Sequence, residues 1–299
     1  FPDSSTQTTA ATAGATDFSA LTDATVSTTD PATDTNPSAT GHHWINKTSG
    51  EYFVCTDNTT DENVWTNIGE GAGGVVYVPP VRGVFGGDGV IDYVTISTIG
   101  NATDFGDLSA VRSGLAACAD ATRGVFGGGS YGTNIIEYIT ISTTGNATDF
   151  GDLTLARYRL AACADATRGV FGGGNDPDTN TIDYITIATT GNALDFGDLS
   201  SARGQLAACA DATRGVFGGG DSTIDYITIQ TTGNATYFGA LTVSRRFLAG
   251  LADATRGVFA GGIDGLDVID YITIQTTGNA TDFGDLTDAR DQLAACSGN

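Results

Sequence analysis

The chain has 299 residues, a mass of 30.5 kDa and, with 13 Lys and Arg against 35 Asp and Glu, a formal net charge of -22. This excess of acidic residues argues against binding to nucleic acid, because a phosphate-binding surface needs clustered cations. Apolar residues make up 40% of the chain, and no run approaches the ~20 apolar residues that span a bilayer, so membrane insertion is not predicted.

Residues 1–40 are predicted to be an extended, low-complexity arm or linker. They contain twelve threonines, five aspartates and no Lys or Arg, and such a polar stretch cannot bury enough apolar surface to fold alone. The chain contains no methionine, so Phe1 is expected to be a processed end or the start of a segment of a longer chain.

Residues 41–74 are predicted to form a small β module. Aromatic residues such as Trp44, Tyr52 and Trp65 would supply its core, and Ser49-Gly50 and clusters of Asn and Asp would supply its turns. A module of about thirty residues is too small to be stable alone. We therefore expect it to pack on the rest of the chain or on copies of itself.

Residues 75–299 contain a fivefold repeat. The phrase Arg-Gly-Val-Phe recurs at intervals of 41, 45, 46 and 42 residues, and each copy continues through glycines, an alternating apolar segment and a segment like Asp-Phe-Gly-Asp-Leu to an Arg and, in four of the five copies, Leu-Ala-Ala-Cys. The stretch after the glycines varies from 2 to 7 residues, and removing it leaves 39 residues in each interval. All length variation thus falls in one loop, as expected for a constant scaffold with one adaptable face. The copies begin at Arg82, Arg123, Arg168, Arg214 and Arg256.

Each repeat is predicted to form four short strands, because its apolar segments alternate with period two and are separated by Gly and Asn turns. Four strands in 40–45 residues are typical of a β-propeller blade, with a β-solenoid as the alternative. The last copy, Leu293-Ala-Ala-Cys296, is expected to pair with Gly83-Val84-Phe85 and hide that edge. The predicted fold is therefore all-β: a five-bladed β-propeller closed by the C-terminal strand, preceded by the β module and the Thr- and Asp-rich arm.

The repeat resembles the kelch repeat. The likeness rests on the glycine doublet that ends the second strand, on the aromatic residue of the third strand, and on an arginine ahead of the first strand. Kelch repeats usually carry Trp in the fourth strand, where this chain carries Phe. The matching arginines are Arg112, Arg157, Arg203, Arg245 and Arg290.

Roughly residues 36–299 also resemble virion structural proteins of marine tailed phages. Those proteins carry Arg-Gly-Val-Phe-Gly-Gly-Gly arrays and modules like residues 41–57 followed by Asn63-Val-Trp65. The resemblance implies a tail fibre, spike or similar appendage on the extracellular virion surface. It also implies that residues 1–74 contact other virion proteins and that the chain forms homo-oligomers such as trimers.

We expect the variable loops to bind a ligand without catalysis. In an antiparallel blade the loop between the second and third strands lies on the same face as the connectors between blades, so its polar and aromatic residues should gather on one rim. Such groups suit a host-surface ligand, a glycan before a protein. A purely structural decoration or spacer and a glycan-cleaving enzyme are the alternatives. The candidate ligand-binding residues are Tyr131, Asn134, Asn175, Asp176, Asp178, Asn180, Asp221 and Asp264.

The other reactive side chains are predicted to be structural. The repeated cysteines stand where the remaining repeat has Leu251, which indicates small buried hydrophobes, and His42-His43 is expected to be a solvated pair. The paired acids of the fourth strand, such as Asp195 and Asp198, are expected to form turns or ion pairs with the repeated arginines rather than a glycosidase site. No metal or cofactor is assigned, although the loops at residues 175–178 and 264–267 offer oxygen ligands suited to Ca²⁺.

Overall fold

A computed structural model describes residues 24–37, 39–69, 82–130, 132–263 and 265–296 of the chain. All 23 regular elements in these ranges are β-strands, so the predicted all-β class is confirmed. Within the same ranges there is no apolar helix of membrane-spanning length. The chain divides into two compact units, Phe1–Pro79 and Pro80–Asn299.

The first unit contains one four-stranded sheet. Its strands follow chain order, with β1 parallel to β2 and the other neighbours antiparallel. Trp44 and Trp65 meet edge to face with ring centroids 5.7 Å apart, a favourable aromatic geometry. The strands are β1 (Ala24–Ser27), β2 (His43–Asn46), β3 (Tyr52–Asp57) and β4 (Val64–Gly69).

Part of the segment predicted to be an extended arm belongs to this sheet, which corrects that prediction. β1 pairs with β2, the indole Nε1 of Trp44 donates to the carbonyl oxygen of Thr29 at 2.8 Å, and the side-chain amide of Asn63 donates to that of Thr33 at 2.7 Å. Backbone hydrogen bonding thus orders a polar segment that has little apolar surface to bury. Residues 1–23 of the predicted arm lie outside the described residues.

The described part of the second unit contains five antiparallel sheets, one for each repeat. The first sheet has three strands, β5 (Arg82–Gly87), β6 (Val90–Thr95) and β7 (Thr103–Asp107). The second sheet comprises β8 (Ala116–Ala119), β9 (Arg123–Gly127), β10 (Ile135–Thr140) and β11 (Thr148–Asp152), and the third β12 (Ala161–Ala164), β13 (Arg168–Gly172), β14 (Thr181–Thr186) and β15 (Leu194–Asp198). The fourth comprises β16 (Leu206–Ala210), β17 (Arg214–Gly219), β18 (Thr223–Thr228) and β19 (Thr236–Ala240), and the fifth β20 (Ala249–Ala252), β21 (Arg256–Ala260), β22 (Val268–Thr273) and β23 (Thr281–Asp285).

The last two strands of every sheet share one bulge. In the third sheet Ile182 lies opposite Gly197 whereas Asp183 lies opposite Asp195, so Phe196 is the extra residue. The same register shift recurs in the other four sheets. A bulge bends and twists its strand, and here Phe196 is buried, with 3% of its surface exposed.

The hydrophobic core lies between neighbouring sheets. Phe171 of the third sheet packs in one cluster with Val125 and Phe150 of the second, and the next two pairs of sheets repeat the arrangement. A Cβ atom on Gly127 would lie 2.7 Å from the Phe171 ring. The first glycine after Arg-Gly-Val-Phe is therefore needed to admit the phenylalanine of the following sheet.

The predicted closing strand is not formed, which corrects that part of the predicted fold. Residues 293–296 adopt no strand, and among the described residues β5 pairs only with β6. Leu293 instead packs beside Gly261 of the fifth sheet, where a Cβ would meet its Cδ2 at 2.8 Å. Phe85 is 59% and Phe283 54% exposed, although their counterparts in the inner sheets are buried. In the described ranges no strand joins the first sheet to the fifth, and we call this arrangement, with its exposed ends at Phe85 and Phe283, the open array.

Candidate functional site

A buried ion pair joins each sheet to the next. Arg157, between the second and third sheets, reaches the third strand of the third sheet, where its Nη1 lies 2.8 Å from Oδ2 of Asp183 and both side chains are buried. The repeated arginines thus pair with the acid of the third strand and not with the fourth-strand acids, which corrects the predicted partners. Asp195 accepts a hydrogen bond from the N–H of Gly197 in its own bulge at 3.1 Å, as a turn residue would. The other pairs are Arg112–Glu137, Arg203–Asp225 and Arg245–Asp270.

One end of the sheets carries both the variable loops and the connectors between sheets. The loop between β13 and β14 is bound to the connector between β11 and β12, because Tyr158 and Asn175 exchange backbone hydrogen bonds of 3.4 and 2.8 Å. In the preceding repeat the N–H of Ser130 donates to the carbonyl oxygen of Ser113 at 2.8 Å. The predicted position of the loops beside the connectors is confirmed, and we call this end the loop face.

The loop face does not bring all the candidate ligand-binding residues together. The side-chain amide of Asn175 donates to Asp178, and the carbonyl oxygen of Asn134 accepts the N–H of Leu153, so these groups hold their own loops. Asp176 alone of the described candidates lines the cavity at this end. Asn134, Asn175, Asp176, Asp178, Asn180 and Asp221 lie in the described loops, whereas Tyr131 and Asp264 lie outside the described residues.

The connectors enclose an open cavity of about 780 Å³. This volume falls within the roughly 300–1,000 Å³ of typical small-molecule sites. All five repeats contribute to the lining, each through the residue just before the leucine of the Leu-Ala-Ala segment or its counterpart. Those five equivalent residues are Gly114, Arg159, Gln205, Phe247 and Gln292.

These five residues share a left-handed backbone conformation, with φ between 53° and 64°. Their backbones form a ladder that begins with the N–H of Arg159 donating to the carbonyl oxygen of Gly114 at 2.6 Å and continues through Gln205 and Phe247 to Gln292. This conformation costs a residue other than glycine about 1 kcal/mol. Only the first repeat has glycine there, so four repeats keep a larger side chain at that cost.

Arg159 is the one cation among the described residues that line the cavity. Its guanidinium carbon lies 5.0 Å from the ring centroid of Tyr158 and 4.9 Å from that of Phe247, within cation–π range of both. Within the described part of the chain this half-buried guanidinium makes no hydrogen bond or ion pair. Beside it, Oε1 of Gln205 is buried and has no described hydrogen-bond partner.

Sequence reasoning missed these lining residues. They belong to the two positions that follow each repeated arginine, which read Ser-Gly, Tyr-Arg, Gly-Gln, Arg-Phe and Asp-Gln in successive repeats. Differences in loop length predict an adaptable face only in the loops that vary in length, whereas these two positions are present in every repeat. Variation in residue type at neighbouring positions of an otherwise regular phrase was the signal that would have found them.

The predicted burial of the repeated cysteines is confirmed for Cys163 and Cys209, whereas Cys118 is half-buried and Cys296 is exposed. All five cysteines of the chain are free thiols, and Sγ of Cys163 lies so near Gly215 of the next sheet that a Cβ there would approach it to 2.7 Å. Burial raises the pKa of Cys209 to about 12 and that of Cys118 to about 12, with a smaller contribution from the charge of Asp120. These thiols remain protonated at neutral pH, which makes them poor nucleophiles and metal ligands.

The histidines and the proposed calcium loops do not form a metal site in the described residues. Nε2 of His42 lies 2.8 Å from the hydroxyl of Thr25 and His43 stacks on Tyr52, so the prediction of a solvated pair is wrong. Within the described ranges no three His, Cys, Asp or Glu side chains are placed to hold one ion.

Comparison of the chain with protein-family models finds no match, and no curated protein matches its sequence.

Proposed function

We propose that the chain is a non-enzymatic appendage protein of a phage virion, such as a tail fibre or spike, that binds a host-surface glycan through its loop face. One observation carries the proposal: residues that differ between otherwise equivalent repeats gather around one cavity at that face. A constant scaffold that presents variable residues is suited to recognition. The resemblance to marine tailed-phage proteins supports the virion surface as the location.

The fold in this proposal is a five-bladed, kelch-like β-propeller, with each sheet as one blade. Two observations support it: the first strands β8, β12, β16 and β20 pack against one another in that order, and the connectors of all five repeats meet at one cavity. Both arrangements are expected when blades surround a common axis.

Alkylation of Cys296 measures whether the ring is open. In the open array Cys296 is exposed and should react with iodoacetamide much faster than the buried Cys163 and Cys209, which serve as internal controls. Peptide mass spectrometry of native protein sampled over time gives the three rates. Equal, slow rates would show that residues 293–296 join β5 and close the ring in solution.

Within the same proposal, residues 1–74 attach the chain to other virion proteins, and copies of the chain associate as a homo-oligomer. An attachment role for the first part of the chain and a binding role for the second agree with the two compact units, which meet after Pro79. Cross-linking of the full chain in purified virions tests both contacts: the proposal expects links to other proteins from Lys47, the one lysine of the chain.

The glycan-binding proposal is tested by loop shortening. Residues 175–181 are replaced by the two residues Gly89-Val90 of the first repeat, and adsorption of the full-length protein to host cells is measured. The control replaces Thr189 and Thr190, exposed residues in the turn at the opposite end of the same sheet, with alanine. We expect adsorption to fall in the loop variant alone.

Unchanged adsorption of the loop variant would remove the binding claim and favour the structural alternative. Release of soluble sugars from host polysaccharide by the wild-type protein would instead favour a glycan-cleaving enzyme. The buried ion pairs oppose that reading for Asp183, Asp225 and Asp270, because each of these carboxylates is already paired with an arginine.

A further inference from the structure

We infer that the cavity of the loop face binds a carboxylate-bearing saccharide, with Arg159 as the group that holds the carboxylate. This inference rests on the proposed function and specifies the class of glycan. It concerns the connector residues Tyr158, Arg159, Gln205, Phe247 and Gln292 rather than the length-variable loops.

The backbone conformation of the connectors indicates a role for their side chains. Gly114 shows that the fold accepts glycine at the left-handed position, and glycine adopts that conformation without strain. Arg159, Gln205 and Phe247 are therefore not required by the chain's path. Since residues held in an unfavourable conformation cluster at functional sites, their side chains point to a role in the cavity that they line together.

The side chain of Arg159 is ordered by two aromatic rings and keeps hydrogen-bond donors for a ligand. Its guanidinium carbon lies over the rings of Tyr158 and Phe247, which orders the side chain and leaves its N–H donors without a described hydrogen-bond partner. An arginine edge matches a carboxylate with two parallel hydrogen bonds. Because stacking already orders the side chain, binding costs little additional conformational entropy.

Few arginines of the chain are free to bind an anion. In a chain with a net charge of -22, most arginines take part in the repeated contacts: four form buried ion pairs, four donate to a carbonyl oxygen of the next sheet and one lies over Tyr271. Arg159, Arg246 and Arg290 remain, and of these Arg159 alone lines the cavity. The anion is therefore expected at Arg159.

The remaining lining groups suit the hydroxyl groups of a sugar. Oε1 of Gln205 is buried and lacks a described partner, so turning this side chain towards the cavity would let it accept a hydrogen bond from a sugar hydroxyl and satisfy a group that is costly to leave unpaired. Asp176, the one acid among the described lining residues, is exposed and offers a second acceptor. The rings of Tyr158 and Phe247 supply the apolar surface that a sugar ring also needs.

The test compares acidic sugars with matched neutral ones by isothermal titration calorimetry of the full chain. The pairs are trigalacturonate with its methyl ester, and sialyllactose with lactose. The site variant is Arg159→Gln, which introduces the residue that Gln205 and Gln292 already place at this backbone position, so it should fold. The control is Arg246→Gln, which removes an exposed arginine outside the cavity lining.

We expect at least one acidic sugar to bind about tenfold or more tightly than its neutral partner, and Arg159→Gln to remove this preference, as expected for loss of one charge-assisted contact. Arg246→Gln should leave binding unchanged. The inference is overturned if neither acidic sugar binds at millimolar concentration, if acid and neutral partner bind equally, or if both variants weaken binding alike. Host-cell adsorption that still depends on residues 175–181 would then leave the proposed function intact.

Discussion

At the scale of single residues, the aspartate that opens each Asp-Ala-Thr-Arg turn binds the backbone of its own turn. Oδ1 of Asp165 accepts hydrogen bonds from the N–H groups of Thr167 and Arg168, both at 2.8 Å. Burial alone would raise the pKa of Asp165, but hydrogen bonds, the largest of them from Gln230, outweigh it, so the pKa lies below its usual value. The charged carboxylate therefore stabilises the turn between the first two strands.

Replacing Asp165 with alanine should lower the free energy of unfolding by about 1 kcal/mol at pH 7. Because the pKa is lower in the folded state, this stabilisation is present above the unfolded-state pKa of about 3.9 and is lost as the pH falls through the lower folded value. Urea unfolding at about pH 7 and about pH 3 measures the difference from wild type, with the exposed Asp288→Ala as control. An equal loss at both pH values would show that the carboxylate charge has no part in the turn.

At the scale of strands and turns, the bulge of each of the first four sheets touches a turn of the next sheet. A Cβ on Gly151, in the bulge of β11, would lie 2.5 Å from the carbonyl group of Gly191 in the third sheet, and φ there is +144°. Gly284 is the counterpart in β23, with φ of +138° and no atom of the described residues within 4 Å of its Cβ position. Both glycines have the same unusual backbone conformation, but only Gly151 has a turn of the next sheet packed against it.

Alanine at these positions separates backbone strain from the contact between sheets. We expect Gly284→Ala to cost about 1–3 kcal/mol of unfolding free energy from the backbone conformation alone, and Gly151→Ala to cost at least about 2 kcal/mol more, since the turn must move. Chemical denaturation of both variants gives the comparison. Similar losses would mean that the bulge and the turn are not in tight contact.

The strands follow from local sequence, and several other elements do not. Period-two alternation and the Gly and Asn turns suffice to predict the four strands of the third repeat, because side-chain direction in a strand depends on position alone. β1 was missed because its parallel pairing partners lie nineteen residues further along the chain and leave no local pattern. The bulge at Phe196 was missed because it depends on how Asp195 and Gly197 meet the neighbouring strand.

The candidate site was predictable only in its outline. The position of the loop face follows from the antiparallel order of the strands, which the sequence alone predicts. The convergence of Arg159, Tyr158 and Phe247 was not predictable, because Phe247 follows Arg159 by two whole repeats and meets it only through the packing of sheets. Likewise the partner of Arg157 is Asp183, an acid in the next repeat, whereas local spacing favoured nearer carboxylates.

At the scale of the whole molecule, the ion pairs make each sheet depend on its neighbour. Arg157→Ala would leave Asp183 charged, buried and unpaired, and should cost about 3–5 kcal/mol of unfolding free energy. Arg290 is the counterpart at the end of the array, where it is exposed and forms none of the described ion pairs. Arg290→Ala should therefore change stability by less than about 0.5 kcal/mol.

Denaturant unfolding of both variants tests this dependence on position. A large loss for Arg290→Ala would contradict the open array. It would indicate that Arg290 finds the half-buried Asp92 of the first sheet, the acid that stands at the position of Asp183. A small loss for Arg157→Ala would show instead that the buried pair contributes little more than the apolar groups around it.

Since the arginine of each buried ion pair reaches forward to the acid of the next repeat, each inner repeat contains half of two junctions and the whole of none. Duplicating an internal repeat would create one more junction of the same chemistry, and deleting one would join two halves that already fit. A gene encoding such a chain can therefore gain or lose copies by unequal recombination without any compensating substitution. The free energy of unfolding then increases with the number of junctions. The two residues that follow each repeated arginine can change independently in each repeat.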